Sequence, residues 1–174
     1  VQQNQLGLVL EHALGRGLSF TARVYGGTRD NLQFQTIPPP SPAPTTEGSW
    51  VGLNRRFNGM GIQFKGRGEW GAVPVDWVAG FDKDSSGEQR QGGPTAAGQM
   101  TRAPTRDEWN QASNQDFFAQ ANWFLADRWT LTTGIRNSRV DLKSRDDYLS
   151  DGDGSGTAHY KATSPVLGLT WHVT

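Results

Sequence analysis

Cysteine is absent from the 174 residues. That excludes disulfide frameworks, thiolate zinc sites and cysteine nucleophiles. Charge of one sign is absent too: 17 basic and 17 acidic residues leave a formal net charge of zero. No global field would draw in nucleic acid, and no nucleic-acid partner is expected. No apolar run approaches the roughly 18–20 residues of a membrane helix. Leu, Ile, Val and Phe together make up just under a fifth of the chain. A dense, all-round hydrophobic core is therefore not expected. Such poverty signals disorder when net charge is high, but here it is zero, and seven Trp with eight Phe favour an ordered chain.

Catalytic patterns are missing as well. There is no Gly-x-Ser-x-Gly, no Walker loop and no His-Glu-x-x-His. His12, His159 and His172 are the only histidines and sit on separate stretches, so no metal site is expected. Asp146-Asp147 and Asp82/Asp84 are pairs of acids with nothing to position a substrate between them. The chain reads as a non-enzyme without a cofactor. Asp151, Asp153, Ser155 and Gly156 imitate the opening of a calcium loop, but Ala162 stands where a bidentate Glu is needed. A flexible acidic loop is the expectation there.

What is present is alternation. Leu6, Leu8 and Leu10 alternate with Gln5, Gly7 and Val9, and Gly15-Arg16-Gly17 makes a brief turn. Leu18, Phe20, Ala22 and Val24 then alternate with Ser19, Thr21, Arg23 and Tyr25. Ile62, Phe64, Gly66, Gly68 and Trp70 share one face, with Gln63, Lys65, Arg67 and Glu69 on the other. After a turn at Gly71-Ala72-Val73-Pro74 the pattern resumes at Val75, Trp77, Ala79 and Phe81. Phe117, Ala119, Ala121 and Trp123 follow, then Trp129, Leu131, Thr133 and Ile135, with Arg136 on the opposite face. Leu167, Leu169, Trp171 and Val173 close the series. Period two means strand. Residues 108–125 also place Phe117, Phe118, Ala121 and Leu125 at helical spacing, which leaves a helix open there. Val140 and Leu142 break the odd-numbered apolar series, as a bulge or a strand rising above a bilayer would.

Seven strands are thus expected, joined short, long, short, long, short, long. The long connections are a proline-rich stretch at 38–44, residues 84–107, and a segment ending in Asp151-Gly152-Asp153-Gly154-Ser155-Gly156. Outer-membrane barrels segregate loop length in this way. Alternation alone fits a soluble sheet equally well. Aromatic placement separates the two: Trp70, Trp77, Trp123, Trp129 and Trp171 fall at one level beside the short turns, as a membrane-interface girdle requires. The fold expected is an all-β, antiparallel up-and-down meander forming part of a transmembrane β-barrel, one domain over residues 1–174. Val1 and Thr174 read as cuts within a longer protein.

Several stretches resemble TonB-dependent outer-membrane receptors. Tyr25-Gly26-Gly27-Thr28-Arg29-Asp30 with Leu32-Gln33-Phe34-Gln35 is similar to a barrel segment of that family. Arg106-Asp107-Glu108 followed by Asp116-Phe117-Phe118-Ala119-Gln120-Ala121-Asn122-Trp123 is another. The piece from Arg128 through Trp129-Thr130-Leu131-Thr132-Thr133-Gly134-Ile135 to Arg136 is the most specific, and Thr163-Ser164-Pro165-Val166-Leu167-Gly168-Leu169-Thr170-Trp171 is a further match. The resemblance implies a 22-stranded barrel with an N-terminal plug in the outer membrane of a Gram-negative bacterium. It implies import of a scarce ligand, most often an iron–siderophore complex, energised through TonB. This chain lacks the plug and TonB box, so TonB would act through a missing N-terminal region.

On that resemblance Gln63, Lys65, Arg67, Glu69 and Arg136 line the lumen, and outer-membrane lipid covers the opposite face. Arg29, Trp50, Arg55, Arg56, Arg102 and Arg106 lie on or near the extracellular side as candidate ligand contacts. Guanidinium groups can bind carboxylate or catecholate oxygens in a bidentate manner, and indole can pack on an aromatic ligand. Two other readings remain at this point. A soluble β-sandwich binding module would gather the aromatics on a concave or inter-sheet face. A small passive barrel or adhesin would need an even strand count and closure.

Overall fold

The computed structural model describes residues 1–36, 48–101 and 103–173. The proline-rich stretch at 38–44 and the candidate Arg102 lie outside them. Every regular element is a strand: β1 (Gln2–Gly15), β2 (Leu18–Thr36), β3 (Gly48–Trp70), β4 (Val73–Ala96), β5 (Gln99–Met100), β6 (Arg106–Ala126), β7 (Trp129–Asp146) and β8 (Gly156–Trp171). They form one antiparallel sheet in the order β1-β2-β3-β4-β6-β7-β8, with the two-residue β5 folded back on the end of β4. The helical alternative for 108–125 is replaced by a continuous strand paired on both sides.

The short turns follow from local chemistry. Gly15 (φ 88°), Arg16 (φ 51°) and Gly17 (φ 75°) reverse the chain between β1 and β2 through left-handed backbone that glycine adopts without penalty. Gly71 (φ 67°) does the same between β3 and β4. Register slips by one residue beside two of these turns, between Ala13 and Gly15 and between Phe124 and Ala126. No slip occurs at 137–142, where β6 and β7 stay in step from Glu108↔Asp146 to Phe124↔Thr130. The parity change at Val140 and Leu142 is therefore not a bulge. The strand keeps its register and the side-chain pattern changes.

The long connections are shorter than the sequence suggested, because the strands run further. Residues 84–96, expected in a loop, belong to β4, and β7 continues to Asp146. β3 has 23 residues and β4 has 24, against about 9–11 needed to cross a bilayer. Where both faces of a strand meet water there is no reason for apolar residues to alternate with polar ones. Periodicity therefore disappears while hydrogen-bonded pairing continues.

Register carries parity across the whole sheet. Leu10, Ala22, Ile62, Phe81 and Phe117 form one cross-strand row, and Ala79, Ala119, Ile135 and Pro165 form the next. Toward the short turns one face is predominantly apolar and the other predominantly polar. There is no second layer: among the described residues only Trp50 and Val75 are buried hydrophobics, while Leu6 is 82% exposed and Leu167 is 81% exposed. That removes the β-sandwich reading, which needs two packed sheets. β1 and β8 are both edges, so these strands do not close into a small barrel.

On the apolar face the indole of Trp77 lies directly over Gly66, where a Cβ would collide with the ring. Gly68, two residues along on the same face, has nothing within 4 Å of its Cβ position. Gly66→Val should destabilise the intact protein by about 1–3 kcal/mol, and Gly68→Val should change stability by less than about 0.5 kcal/mol. Urea unfolding of the vesicle-inserted protein measures both. Equal effects would show that the indole is not seated on Gly66.

Candidate functional site

On the polar face, glycines on β3 let side chains from β2 and β4 meet above them. Arg23 Nη2 reaches Asp82 Oδ1 at 2.9 Å across Gly61, where any Cβ would strike both partners. The Tyr25 hydroxyl donates to Asp84 across Gly59 in the same way. Further along, Asp116 is the largest fully buried side chain of the described residues, 1% exposed. Its carboxylate accepts from Arg136 Nη2 at 2.6 Å and Nε at 3.1 Å, from Asn114 Nδ2 at 2.6 Å, and from the Ser138 hydroxyl. Thr132 donates to Asn122 at 2.8 Å on the same face. The result is a polar surface on which Arg23 and Arg136 are each compensated by a carboxylate.

Gln63, Lys65, Arg67, Glu69 and Arg136 all lie on this face by register. Arg67 makes a loose 3.4 Å contact with Asp76 at side-chain exposures of 80% and 40%, whereas Arg136 is locked to Asp116. Trp70, Trp77, Trp123, Trp129 and Trp171, expected as a girdle, lie on the opposite face toward the short-turn end. Trp70 meets Trp123 edge-on at 6.0 Å, and Trp129 stacks on Trp171 at 5.9 Å. Trp123 Nε1 donates to Thr133 Oγ1 at 2.9 Å.

The remaining candidates divide. Arg29 and Arg55 are register partners on the polar face, and Arg55 Nη2 pairs with Glu88 at 2.6 Å. Arg56 points to the other face. Trp50 and Arg106 come together at the long-loop end, lining a cleft of about 1040 Å³ with Arg90, Pro94, Glu108 and Tyr148. Arg106 pairs with Glu108. Trp50 is 6% exposed, and its indole Nε1 is buried without a hydrogen-bond partner among the described residues. Arg90 and Tyr148 were not singled out from sequence. Only pairing shows that β4 and the β7–β8 connection reach this cleft.

The acidic connection on the rim of the cleft folds on itself. Asp146 accepts from Tyr148 N at 2.9 Å and Gly154 N at 3.0 Å. Asp153 Oδ1 accepts from Ser155 N at 2.9 Å. The Ser155 hydroxyl and amide hold the Asp153 carboxyl below its ordinary range. Of the two carboxylates in the calcium-loop-like stretch, Asp153 is thus turned toward a backbone amide. Among the described residues no group of His, Asp or Glu is arranged to hold a metal ion.

Removing Asp116 leaves the Arg136 guanidinium without its partner. Asp116→Ala should cost about 2 kcal/mol, and Arg67→Ala within about 0.5 kcal/mol, in urea unfolding of the intact protein. Indistinguishable values would mean that the buried cluster contributes no more than an exposed pair.

Comparison with solved structures gives the same sheet repeatedly. The ferric citrate transporter FecA in its unliganded form superposes with a TM-score of 0.81 at 14% identity, covering 99% of this chain and 25% of that one. BauA, the ferric preacinetobactin receptor from Acinetobacter baumannii, gives 0.76 at 16% identity, covering 99% and 28%. The copper transporter OprC gives 0.70 at 19% identity, covering 99% and 28%. At these identities the likeness concerns the fold, and the chain spans about a quarter of the length of the proteins it matches. The family described as TonB dependent receptor-like, beta-barrel, matches residues 1–174, and the chain belongs to that family.

Proposed function

We propose that these strands are a sector of an outer-membrane barrel that binds a scarce metal chelate outside the cell and passes it inward. The apolar face meets lipid and the polar face meets the lumen, where Gln63, Lys65, Arg67, Glu69 and Arg136 contact water or a plug. TonB energises release through a region outside this chain. One observation carries the reading: a single-layer sheet with one face apolar over its short-turn half, edged there by indoles, and a Trp- and Arg-lined cleft at its long-loop end. Indole fits that edge because its ring prefers the apolar zone and its N–H the headgroups.

The similar structures are a ferric citrate transporter, a ferric preacinetobactin receptor and a copper transporter, on one architecture. The sheet therefore does not choose the cargo, and choice falls to the cleft. Arg90 and Arg106, on the polar face, suit an oxygen-rich, anionic chelate, and Tyr148 offers an aromatic surface beside them. An iron–siderophore complex fits this description best.

The intact receptor expressed in a receptor-deficient strain should take up radiolabelled iron from a siderophore panel. Uptake should vanish when the proton motive force is collapsed, while surface binding persists. Uptake that survives a protonophore would point to a passive pore. Arg90→Gln keeps a polar side chain and removes the charge, so affinity for the transported chelate should fall about tenfold with barrel assembly unchanged. Unaltered affinity would place the ligand elsewhere.

A further inference from the structure

On β4, β6, β7 and β8 the apolar face stops abruptly on its long-loop side, while Leu8, Val24 and Met60 continue it on β1, β2 and β3. On β4 the series Val75, Trp77, Ala79 and Phe81 is followed in the same parity by Lys83. On β6 Phe117 gives way to Gln115, on β7 Ile135 gives way to Asn137 and Arg139, and on β8 Pro165 gives way to Thr163 and Lys161. Register sets Lys83, Gln115, Arg139 and Lys161 side by side in one row. The next row on this face holds Ser85, Ser113, Asp141 and His159, and the one beyond it Arg56, Gly87, Gln111 and Lys143. With strands about 4.8 Å apart and alternate residues about 7 Å apart, the cations form a patch roughly 20 Å across.

The two faces treat charge differently at this height. On the polar face Arg23, Arg55 and Arg136 each meet a carboxylate, at 2.9, 2.6 and 2.6 Å. On the apolar-side patch Asp141 is the one carboxylate in the three rows. It is taken by Arg139 at 3.0 Å and His159 at 2.6 Å. Lys83, Lys143, Lys161 and Arg56 have no ion-pair partner among the described residues, and the last three are exposed. A block of uncompensated cations repels itself unless an anion sits on it.

We infer that this patch binds the phosphate groups of an anionic lipid, whose acyl chains lie along Phe81, Phe117 and Ile135. Lys83, Arg139 and Lys161 take the phosphates nearest the chains, and Lys143 and Arg56 take groups further out. A soluble polyanion has no use for the adjoining apolar surface, whereas a phosphorylated glycolipid matches both halves of the boundary. The long-loop side is the outer leaflet, so this inference rests on the apolar face meeting lipid, as proposed above.

Native mass spectrometry of the intact receptor in neutral detergent tests it, with lipid A and fully dephosphorylated lipid A as probes. The wild-type protein should retain lipid A about tenfold better than the dephosphorylated form. The triple variant Lys83→Gln, Lys143→Gln, Lys161→Gln should bring the two within about twofold. Equal retention of both lipids by the wild type would overturn the inference, whether or not the variant folds, and so would an undiminished preference in a folded variant. Displacement of lipid A by millimolar inorganic phosphate would overturn the lipid assignment. Flotation with phosphatidylcholine vesicles keeps the underlying reading separate: a wild-type protein that fails to insert contradicts the lipid-facing sheet itself.

Discussion

The structure depends on one constraint, an antiparallel ladder that keeps register from strand to strand. In a pleated strand each residue is committed to one face by its parity. When pairing runs unbroken, as from Gly48↔Thr95 to Trp70↔Val73, that commitment passes to the neighbour. Seven strands so joined become a sheet with two chemically distinct surfaces. A slip of one residue in any pairing would put Phe81 among aspartates and Asp82 among phenylalanines. The two slips present are confined to the short turns, where they do not propagate.

This constraint explains how a chain so poor in Leu and Ile holds a definite structure. A globular domain stabilises itself by burying apolar side chains in its interior, and here almost none are buried. The stabilising contacts are the ladder hydrogen bonds, cross-strand pairs such as Phe81 and Phe117 at 4.8 Å, and polar clusters such as that around Asp116. Glycines at 59, 61 and 66 are part of the same design, because each leaves room for a large group from a neighbouring strand to lie across it. The apolar surface finds its environment outside the chain.

Much of this was legible in the residues themselves. Period-two alternation marked the halves of the strands with one apolar face, and the five tryptophans marked the short-turn end. The long-loop halves were not legible. Residues 84–96 are polar on both faces, so they read as a loop while being strand, and the parity change at 137–142 left a bulge and a rising strand equally open. The candidate site was legible in part. Trp50 and Arg106 do converge on the cleft, but adjacent Arg55 and Arg56 point to opposite faces. Which charges neutralise one another depends on pairing between segments, and no single strand shows that Arg136 meets Asp116 or that Lys83 lies in a row with Lys161.

The central claim is that parity decides environment. Its most direct measurement is site-directed nitroxide labelling at positions 117 to 122 of β6, one at a time, on a cysteine-free background of the intact receptor in vesicles. Phe117, Ala119 and Ala121 should be open to dissolved oxygen and closed to an aqueous nickel chelate, with the reverse at Phe118, Gln120 and Asn122. Uniform accessibility along the stretch, or a repeat near 3.6 residues, would contradict the account.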